Sequence, residues 1–333
     1  MKRSTMLKAV FAAGLALSAL GCGASSPSED VGTTSSDIVI VTGTSFWGLA
    51  GIGLNGTSLD GSELAPRTLV GVSLSGVQAG SCEISTYLNG SVLEEAGGQG
   101  RGCRNQSLIG AVFVGTLDDG TQLPLVIEST SADTNPAVAD LQYYVVSYET
   151  TSGNQPLCGL DGSGNPVSAI ALAGEWNYAT GTVGAGSHVN TPDAFTFACV
   201  GYALADCALV GYEPWNSIQV CQGSGRHQRC TDVSLAPLHQ ACTRAYRADY
   251  CGDGVSYTVN GTPIDVYDGY GYRTATSGWT FEAEWTDNGA RCATTLRVPS
   301  LGTPPCWSSL QNPSCGSTAD FSEGALIMNQ DQP

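Results

Sequence analysis

The sequence predicts a mainly β protein with a few helices (α+β), in which an N-terminal antiparallel β sandwich or barrel precedes a disulfide-rich C-terminal domain. Three features of the 333-residue chain predict this class: short segments rich in β-branched and aromatic residues, hairpin-type dipeptides between them, and twelve cysteines spread over residues 82–315. We expect the two domains to span residues 38–157 and 158–333.

Strand-like segments fill the first of these domains. They are short and rich in the β-branched and aromatic residues that favour strands, at residues 37–41, 108–114, 123–127 and 143–148. The dipeptides Asn55-Gly56, Asn89-Gly90 and Asp119-Gly120 punctuate them. Because the favoured hairpin turns need positive φ angles, these dipeptides predict antiparallel hairpins.

The second half of the chain adds helices to the strands. Residues 195–212 are almost wholly apolar, but Cys199, Asp206 and Cys207 favour a strand end followed by a buried helix over a membrane span. Residues 235–250 predict a second helix, since Pro237 falls early in it and Gly252 lies just past its end. Residues 169–173 and 176–178 predict a further strand, and residues 281–285 alternate as a half-buried strand does.

The cysteines predict six disulfides formed in an oxidising compartment. Zinc is disfavoured, because no two cysteines have the CxxC spacing and the chain has only three histidines, His188, His227 and His239. The twelve cysteines that remain besides Cys22 are Cys82, Cys103, Cys158, Cys199, Cys207, Cys221, Cys230, Cys242, Cys251, Cys292, Cys306 and Cys315.

Cysteine spacing suggests particular pairs. Cys82 and Cys103 flank Asn89-Gly90 and are expected to join across a hairpin or loop. Cys199 and Cys207 are separated by nearly the same distance as Cys242 and Cys251, so two antiparallel helices could be stapled at both ends. That hypothesis pairs the first with the fourth and the second with the third, and it fails if Cys199 lies on the strand.

The N-terminus resembles a lipoprotein signal peptide. Lys2, Arg3 and Lys8 precede an apolar run at residues 9–20 that is too short to span a bilayer as a helix. Residues 19–22 resemble the lipobox of bacterial lipoproteins, in which the cysteine is acylated. We therefore expect a signal peptide at 1–21 and a lipidated Cys22 at the start of a disordered tether at 22–37. The alternative is an ordinary secretory signal with an incidental cysteine.

The mature chain is strongly acidic. Without the three signal-peptide cations it has 10 arginines against 30 aspartates and glutamates, a net charge of −20. Such a surface disfavours nucleic acids and anionic lipid headgroups as partners. No lysine follows Lys8, which excludes lysine nucleophiles and Walker-type phosphate binding.

Residues 237–268 resemble the ADYC domain, a family of secreted bacterial proteins whose name corresponds to Ala248-Asp249-Tyr250-Cys251 here. The likeness extends to residues 195–199, 211–215, 261–265 and 281–285, and back to 156–158. The resemblance implies a module of an exported protein. If Cys22 is acylated as the lipobox predicts, the protein is expected to be anchored at an outer membrane or the cell surface. It carries over no catalytic residues.

Several polar side chains of this region are candidate functional residues. His239 and Asp249 lie ten positions apart on the predicted helix, about 15 Å along its axis, and cannot form a hydrogen-bonded dyad there. No serine has the glycine spacing of a nucleophile elbow. The candidates are His239, Arg244, Arg247, Asp249, Tyr250, Asp253, Asp265 and Asp268.

No cofactor is expected, and calcium is the least improbable metal. Residues 161–165 alternate oxygen ligands, but Leu172 occupies the position where a calcium loop needs glutamate. Asp253, Asp265 and Asp268 could converge if a hairpin joins them. A sugar- or peptide-stacking face is an alternative to a packed core for the aromatic residues nearby, which are Tyr267, Tyr270, Tyr272, Trp279 and Trp285.

The leading functional hypothesis is a non-enzymatic surface lipoprotein whose ADYC-like region binds a surface protein or a glycan. One alternative is an extracellular hydrolase with a site around His239, Asp249 and Asp265, and another is a structural envelope protein. A pocket that joins His239 to two carboxylates would favour the hydrolase, whereas an exposed Tyr/Trp patch would favour binding.

Overall fold

The computed structural model describes residues 57–64, 67–100, 102–133, 140–151, 153–222 and 229–332. The signal peptide, Cys22, the tether, the predicted strand at 37–41 and Asn55-Gly56 lie outside these ranges. Strands contain 41% of the residues and helices 12%, which confirms the predicted class. No helix of the described ranges is both long enough and apolar enough to cross a membrane.

An antiparallel sheet of eleven strands dominates the first half of the chain. It contains every strand up to β13 except β11 and β12, which pair with each other. In chain order these strands are β1 (Glu63–Leu64), β2 (Arg67–Ser73), β3 (Val77–Ala79), β4 (Cys82–Asn89), β5 (Val92–Gly98), β6 (Val112–Leu117), β7 (Gln122–Ala132), β8 (Gln142–Thr150), β9 (Gly153–Pro156), β10 (Ala169–Ala173), β11 (Glu175–Trp176), β12 (His188–Val189) and β13 (Ala194–Cys199).

Six of these strands close into a barrel in the order β2-β13-β10-β8-β7-β6, with β6 pairing back to β2. Its core contains Phe113, Phe195 and Phe197, which pack edge to face with ring centroids 4.7–6.5 Å apart. Closure pairs both edges of the sheet, so the barrel strands expose no free ladder. Strands β10 and β13 follow residue 157, so the barrel extends across the predicted domain boundary.

The predicted hairpin turns are confirmed where they are described. Asn89 is the last residue of β4 and Gly90 follows it in the turn to β5, and Asp119-Gly120 lies between β6 and β7. Gly90 and Gly120 have φ angles of 66° and 82°, the left-handed region that glycine adopts without a steric cost.

The rest of the chain forms a four-stranded antiparallel sheet, order β16-β19-β17-β18, an exposed two-stranded hairpin, β14-β15, and three α-helices within the described ranges. Two 3₁₀ segments, Pro299–Leu301 and Thr318–Glu323, connect these elements. The elements are α1 (Ala203–Leu209), β14 (Ser217–Gln222), β15 (Arg229–Ser234), α2 (Ala236–Arg247), β16 (Ile264–Asp268), β17 (Thr280–Thr286), β18 (Gly289–Ala293), α3 (Trp307–Leu310) and β19 (Ile327–Asp331).

The two predicted helices form, and the second ends earlier than predicted. Residues 195–212 contain the end of β13 and then the buried helix α1, as expected. Helix α2 has Pro237 in its first turn but ends at Arg247. The helix ends there because Ala248 adopts a left-handed conformation with φ 51°, and the N–H of Asp249 donates to the Arg244 carbonyl at 2.9 Å.

The predicted alternation at residues 281–285 is wrong. Glu282 and Glu284 are as fully buried as their neighbours Ala283 and Trp285. Both carboxylates have arginine partners, Arg297 for Glu282 and Arg291 for Glu284, which compensates their loss of solvation.

Six disulfides form, as predicted, and they use all twelve cysteines that follow Cys22. Cys82–Cys103 and Cys207–Cys242 are confirmed. The proposed Cys199–Cys251 pair is wrong, because Cys199 is the last residue of β13 rather than part of a helix. The remaining bridges are Cys158–Cys199, Cys221–Cys230, Cys251–Cys306 and Cys292–Cys315.

Candidate functional site

A cavity of about 130 Å³ lies where the β4–β5 turn, the end of β10, the β11–β12 pair and the start of α2 meet. We call it the aromatic pocket, because four ring side chains line it. Its lining residues are Gly90, Ala173, Trp176, His188, Pro214, Trp215, Ala236, His239 and Gln240.

The β4–β5 turn forms one wall of the aromatic pocket. Ser91 fixes this turn, since its hydroxyl donates to the Asp140 carbonyl at 3.2 Å and accepts from the Gln142 N–H at 2.8 Å. A Cβ atom on Gly90 would lie 3.1 Å from Trp215 Nε1, and the φ angle of 66° is unfavourable for other residues. Glycine is therefore required for the turn to approach the indole this closely.

Gln240 holds the opposite wall together. Its Oε1 accepts from Trp176 Nε1 at 3.3 Å and from the His188 backbone N–H at 3.2 Å. Its Nε2 donates to the Gly186 carbonyl at 2.9 Å. One amide of α2 thus positions both the β11 tryptophan and the β12 histidine.

Both imidazole rings donate from Nε2. Nε2 of His188 lies 2.9 Å from the Ala173 carbonyl oxygen, and Nε2 of His239 lies 2.9 Å from that of Leu204. A carbonyl oxygen only accepts, so each of these Nε2 atoms carries a hydrogen. Burial lowers the pKa of His239 to about 4, which keeps this ring uncharged near neutral pH.

Acidic side chains support the second tryptophan. Trp215 Nε1 donates to Asp140 Oδ2 at 2.7 Å, and the Asn216 amide donates to the same oxygen at 3.0 Å. The Asn216 amide also donates to Glu213, whose pKa is raised by burial. These contacts hold the indole against the turn at Gly90.

Among the eight predicted functional residues, only His239 lines the aromatic pocket. Arg244 and Asp249 form a fully buried ion pair near the other end of α2. Arg247 is also buried and donates to the Gly254 carbonyl, while the Asp253 carboxylate accepts from the Val255 N–H. The structure therefore separates His239 from Asp249, as the helix spacing predicted.

The remaining candidate residues make hydrogen bonds within the protein. Tyr250 is buried and donates to Glu282 Oε1 at 2.6 Å. Asp265 accepts from the Thr276 N–H at 2.8 Å. Asp268 accepts from Tyr212 OH and from three backbone N–H groups of the loop after β16, those of residues 270, 272 and 273.

The carboxylates that the sequence offered as the least improbable calcium ligands do not assemble into a site. Asp161 turns back to accept the backbone N–H groups of Ser163 and Asn165, which closes its own turn. Asp253, Asp265 and Asp268 do not form a group with metal-ligand spacing. Within the described ranges, the one group with such spacing is Glu284, Cys292 and Cys315. It does not fit a metal, because the two sulfurs are joined in a disulfide.

The aromatic residues near β16 and β17 do not form one exposed face. Trp285 is fully buried, and Tyr267 packs against Phe321 with ring centroids 6.2 Å apart. Tyr270 and Tyr272 are each 44% exposed, which leaves them as two surface tyrosines. The stacking face that the sequence suggested is therefore not assembled from this set.

Sequence reasoning missed most of the aromatic pocket. Trp176 was read only as part of a strand, and Trp215 only as part of the segment 211–215. A usable signal was present, since His188 and His239 are two of only three histidines in the chain. Their separation along the chain concealed that they share a pocket.

It also missed a buried charge cluster behind Tyr250. Arg297 bonds Glu282 and lies 3.5 Å from Asp331, and Asn329 donates to Glu282. Burial and the charge of Glu282 raise the pKa of Asp331 to about 9, so this carboxyl holds a proton at neutral pH. The cluster ties the last strand, β19, to β17.

These features define a disulfide-stabilised, mainly β protein of the exported class, since six disulfides require an oxidising compartment to form and persist. The family model of the ADYC domain matches residues 105–299, more than half of the chain, and the chain therefore belongs to the ADYC domain family. No curated protein and no solved structure matches it. The matched segment begins at β6 and includes every residue of the aromatic pocket except Gly90.

Proposed function

We propose that this chain is an exported lipoprotein, anchored through Cys22, whose ADYC region binds one compact group of a larger partner at the cell surface. The aromatic pocket carries this proposal. It combines two tryptophans and two imidazoles with a glutamine that bonds Trp176 and His188, and its walls come from the β4–β5 turn, the end of β10, the β11–β12 pair and α2.

The size of the pocket limits what it receives. Sites for whole drug-sized ligands measure roughly 300–1,000 Å³, whereas a cavity of about 150 Å³ accepts benzene. At about 130 Å³ the aromatic pocket has room for one ring or one headgroup. The rest of the ligand would then lie outside, as expected for a side chain or terminal group of a surface protein or glycan.

The chemistry of the pocket favours binding over hydrolysis. None of its described lining residues is a carboxylate, and the Nε2 atom of each histidine is bonded to a carbonyl. Asp249 is paired with Arg244 instead of orienting His239. A purely structural envelope protein, the other alternative, would leave the preorganised rings without a role.

The proposal is tested by NMR with single-ring probes. We expect p-cresol or methyl glucoside to shift the indole N–H signals of Trp176 and Trp215 in the wild-type chain. Ala173→Leu should abolish these shifts, because Ala173 is exposed and lines the pocket.

Ala132→Leu is the matched control, since Ala132 is likewise an exposed alanine near the end of a strand and lies outside the pocket. It should leave the shifts unchanged. Equal shifts in wild type and Ala173→Leu, or no shift with either ring, would contradict the proposal.

A further inference from the structure

Each of the four rings of the aromatic pocket donates an N–H hydrogen bond to a group of the protein itself. Each indole Nε1–H and each imidazole Nε2–H donates to an internal acceptor: Trp176 to Gln240, Trp215 to Asp140, His188 to Ala173 and His239 to Leu204. The two indoles therefore line the cavity without a free N–H group, and the neutral ring of His239 has its one N–H bonded to the protein.

Such a lining discriminates by charge. An anion or a carbonyl group would find no free N–H on either indole or on His239. A cation is attracted to the negative face of an aromatic ring, most strongly to that of tryptophan, and the attraction grows when water is excluded. The same faces accept the methyl groups of an alkylated cation at no cost in hydrogen bonds.

The surroundings add negative charge. The carboxylate of Asp140 accepts from the indole N–H of Trp215, while His239 contributes no positive charge because its pKa is about 4. The start of α2 adds a partial positive charge of only about half a unit. A mature net charge of −20 attracts cations to the surface generally.

We propose that the aromatic pocket binds an alkylated ammonium group, such as a trimethylammonium headgroup. This inference rests on the proposed function, because it specifies the group that the same pocket accepts. The cavity of about 130 Å³ accommodates one such compact group and leaves its attached chain to exit at the rim.

The test compares two ligands of nearly identical shape, choline and its uncharged isostere 3,3-dimethyl-1-butanol. Binding to the whole lipidated chain in detergent is followed through the indole N–H signals of Trp176 and Trp215. We expect choline to bind at least tenfold more tightly than the isostere. Ala173→Leu should abolish both interactions and Ala132→Leu neither.

Trp215→Phe supplies a second variant that keeps an aromatic ring. It should weaken choline several-fold and change the isostere less than twofold, because phenylalanine is the poorer cation binder. An unchanged thermal midpoint shows that the variant is folded. Equal weakening of both ligands would count against recognition of charge.

The outcomes separate the inference from the function beneath it. Equal affinity for choline and the isostere overturns the ammonium assignment but keeps the pocket as a binding site. Shifts with p-cresol but none with choline likewise overturn the ammonium assignment and keep the pocket as a binding site. The absence of shifts with every probe overturns both the ammonium assignment and the proposed function. Because the acyl anchor itself binds vesicles, the source of the group is tested with Cys22→Ser. Co-sedimentation of this variant with phosphatidylcholine vesicles that free choline competes away identifies a lipid headgroup, and choline binding without sedimentation identifies a soluble source.

Discussion

Ala248 and Asp249 shape the chain where α2 ends. Ala248 has a φ angle of 51°, which turns the backbone so that Asp249 enters the interior beside Arg244. The Asp249 carboxylate also accepts from the N–H groups of Asp253 and Gly254, each at 3.0 Å. One fully buried carboxylate thereby closes the following turn and neutralises an arginine.

Tyr250 and Cys251 then attach the helix end to the second sheet. The Tyr250 ring stacks on Trp285 of β17 with centroids 5.4 Å apart. Cys251 is bonded to Cys306, which directly precedes α3. The four residues that correspond to the family name thus act as a structural junction in this chain.

Loss of the buried carboxylate is expected to destabilise the fold. Asp249→Asn would leave Arg244 buried without a charged partner, a change that costs about 3–5 kcal/mol in proteins. The free energy of unfolding, measured with urea, should fall by that amount. Asp253→Asn is the control at a half-buried neighbour and should cost less than about 1 kcal/mol. Equal losses for the two variants would show that the ion pair is not the cause.

The buried histidine should make stability depend on pH. The folded-state pKa of His239 is about 4, below the ordinary 6.5, so the folded protein binds a proton less readily than the unfolded chain. Stability from this residue is complete above pH 6.5 and is lost as the pH falls to about 4. Relative to a His239→Gln variant, we expect the wild type to lose about 3 kcal/mol across that range.

Asp206 supplies a control of opposite sign. Burial raises its pKa to about 6 from 3.8, so its contribution is present below pH 3.8 and lost as the pH rises through 6. Relative to Asp206→Asn, the wild type should therefore become less stable with rising pH. Unfolding curves at pH 4, 5, 6 and 7 test both signs, and parallel profiles for wild type and His239→Gln would refute the histidine assignment.

Elements encoded by local chemistry were predictable. The Asn89-Gly90 and Asp119-Gly120 turns form because positive φ at the glycine is a property of the turn itself. The position of Pro237 in the first turn of α2 follows from the missing proline N–H. The end of α2 was not predictable from the same rules, because an alanine rather than a glycine takes the left-handed position.

Elements that depend on distant partners were misread. The alternating pattern predicts that Glu282 and Glu284 are exposed to solvent. They are buried instead, and arginines from later in the chain, Arg297 and Arg291, form ion pairs with them. The stapled-helix hypothesis placed Cys199 in a helix, because the apolar run at residues 195–212 does not indicate where the strand ends and the helix begins. In both cases the deciding contact lies outside the window that a local pattern covers.

The disulfide between α1 and α2 is expected to stabilise the fold more than the exposed hairpin disulfide does. Cys207–Cys242 closes a separation of 35 residues, and Cys221–Cys230 closes one of 9. The chain-entropy treatment assigns these bridges about 4 and 2.5 kcal/mol, respectively.

Double alanine variants of each pair, unfolded in guanidinium without reductant, test this order. The α1–α2 variant should also impair the aromatic pocket, because α2 positions His239 and Gln240. A hairpin variant that is equally or more destabilised would contradict the prediction.

At the scale of the whole molecule, composition predicted more than patterns did. The even number of cysteines after Cys22 predicted the six disulfides. The abundance of short segments rich in β-branched and aromatic residues predicted an antiparallel sandwich or barrel. The aromatic pocket could not be predicted from the sequence, because its residues are spread between positions 90 and 240 and meet only when the chain folds. Long-range packing of this kind leaves no periodic signal in the sequence.

Membrane attachment provides the test for the whole chain. We expect Cys22→Ser to move the protein from the membrane fraction to the soluble fraction, because acylation of this cysteine is the proposed anchor. Mass spectrometry of the native N-terminus should show the acyl chains. Ser36→Ala, a substitution in the same predicted tether, should leave attachment unchanged. Membrane association of Cys22→Ser at the wild-type level, with no acyl mass on the native protein, would refute the anchor.

The order of the six bridges along the chain bears on how export machinery can form them. The first two join cysteines that are neighbours in the sequence, so an oxidase that pairs thiols as they emerge produces them directly. The same rule would join Cys207 to Cys221, although its native partner Cys242 emerges later. The last two bridges interleave, because Cys292 emerges before Cys306. We therefore expect maturation of the C-terminal half to depend on a disulfide isomerase, whereas the first two bridges can form by oxidation of successive cysteines alone.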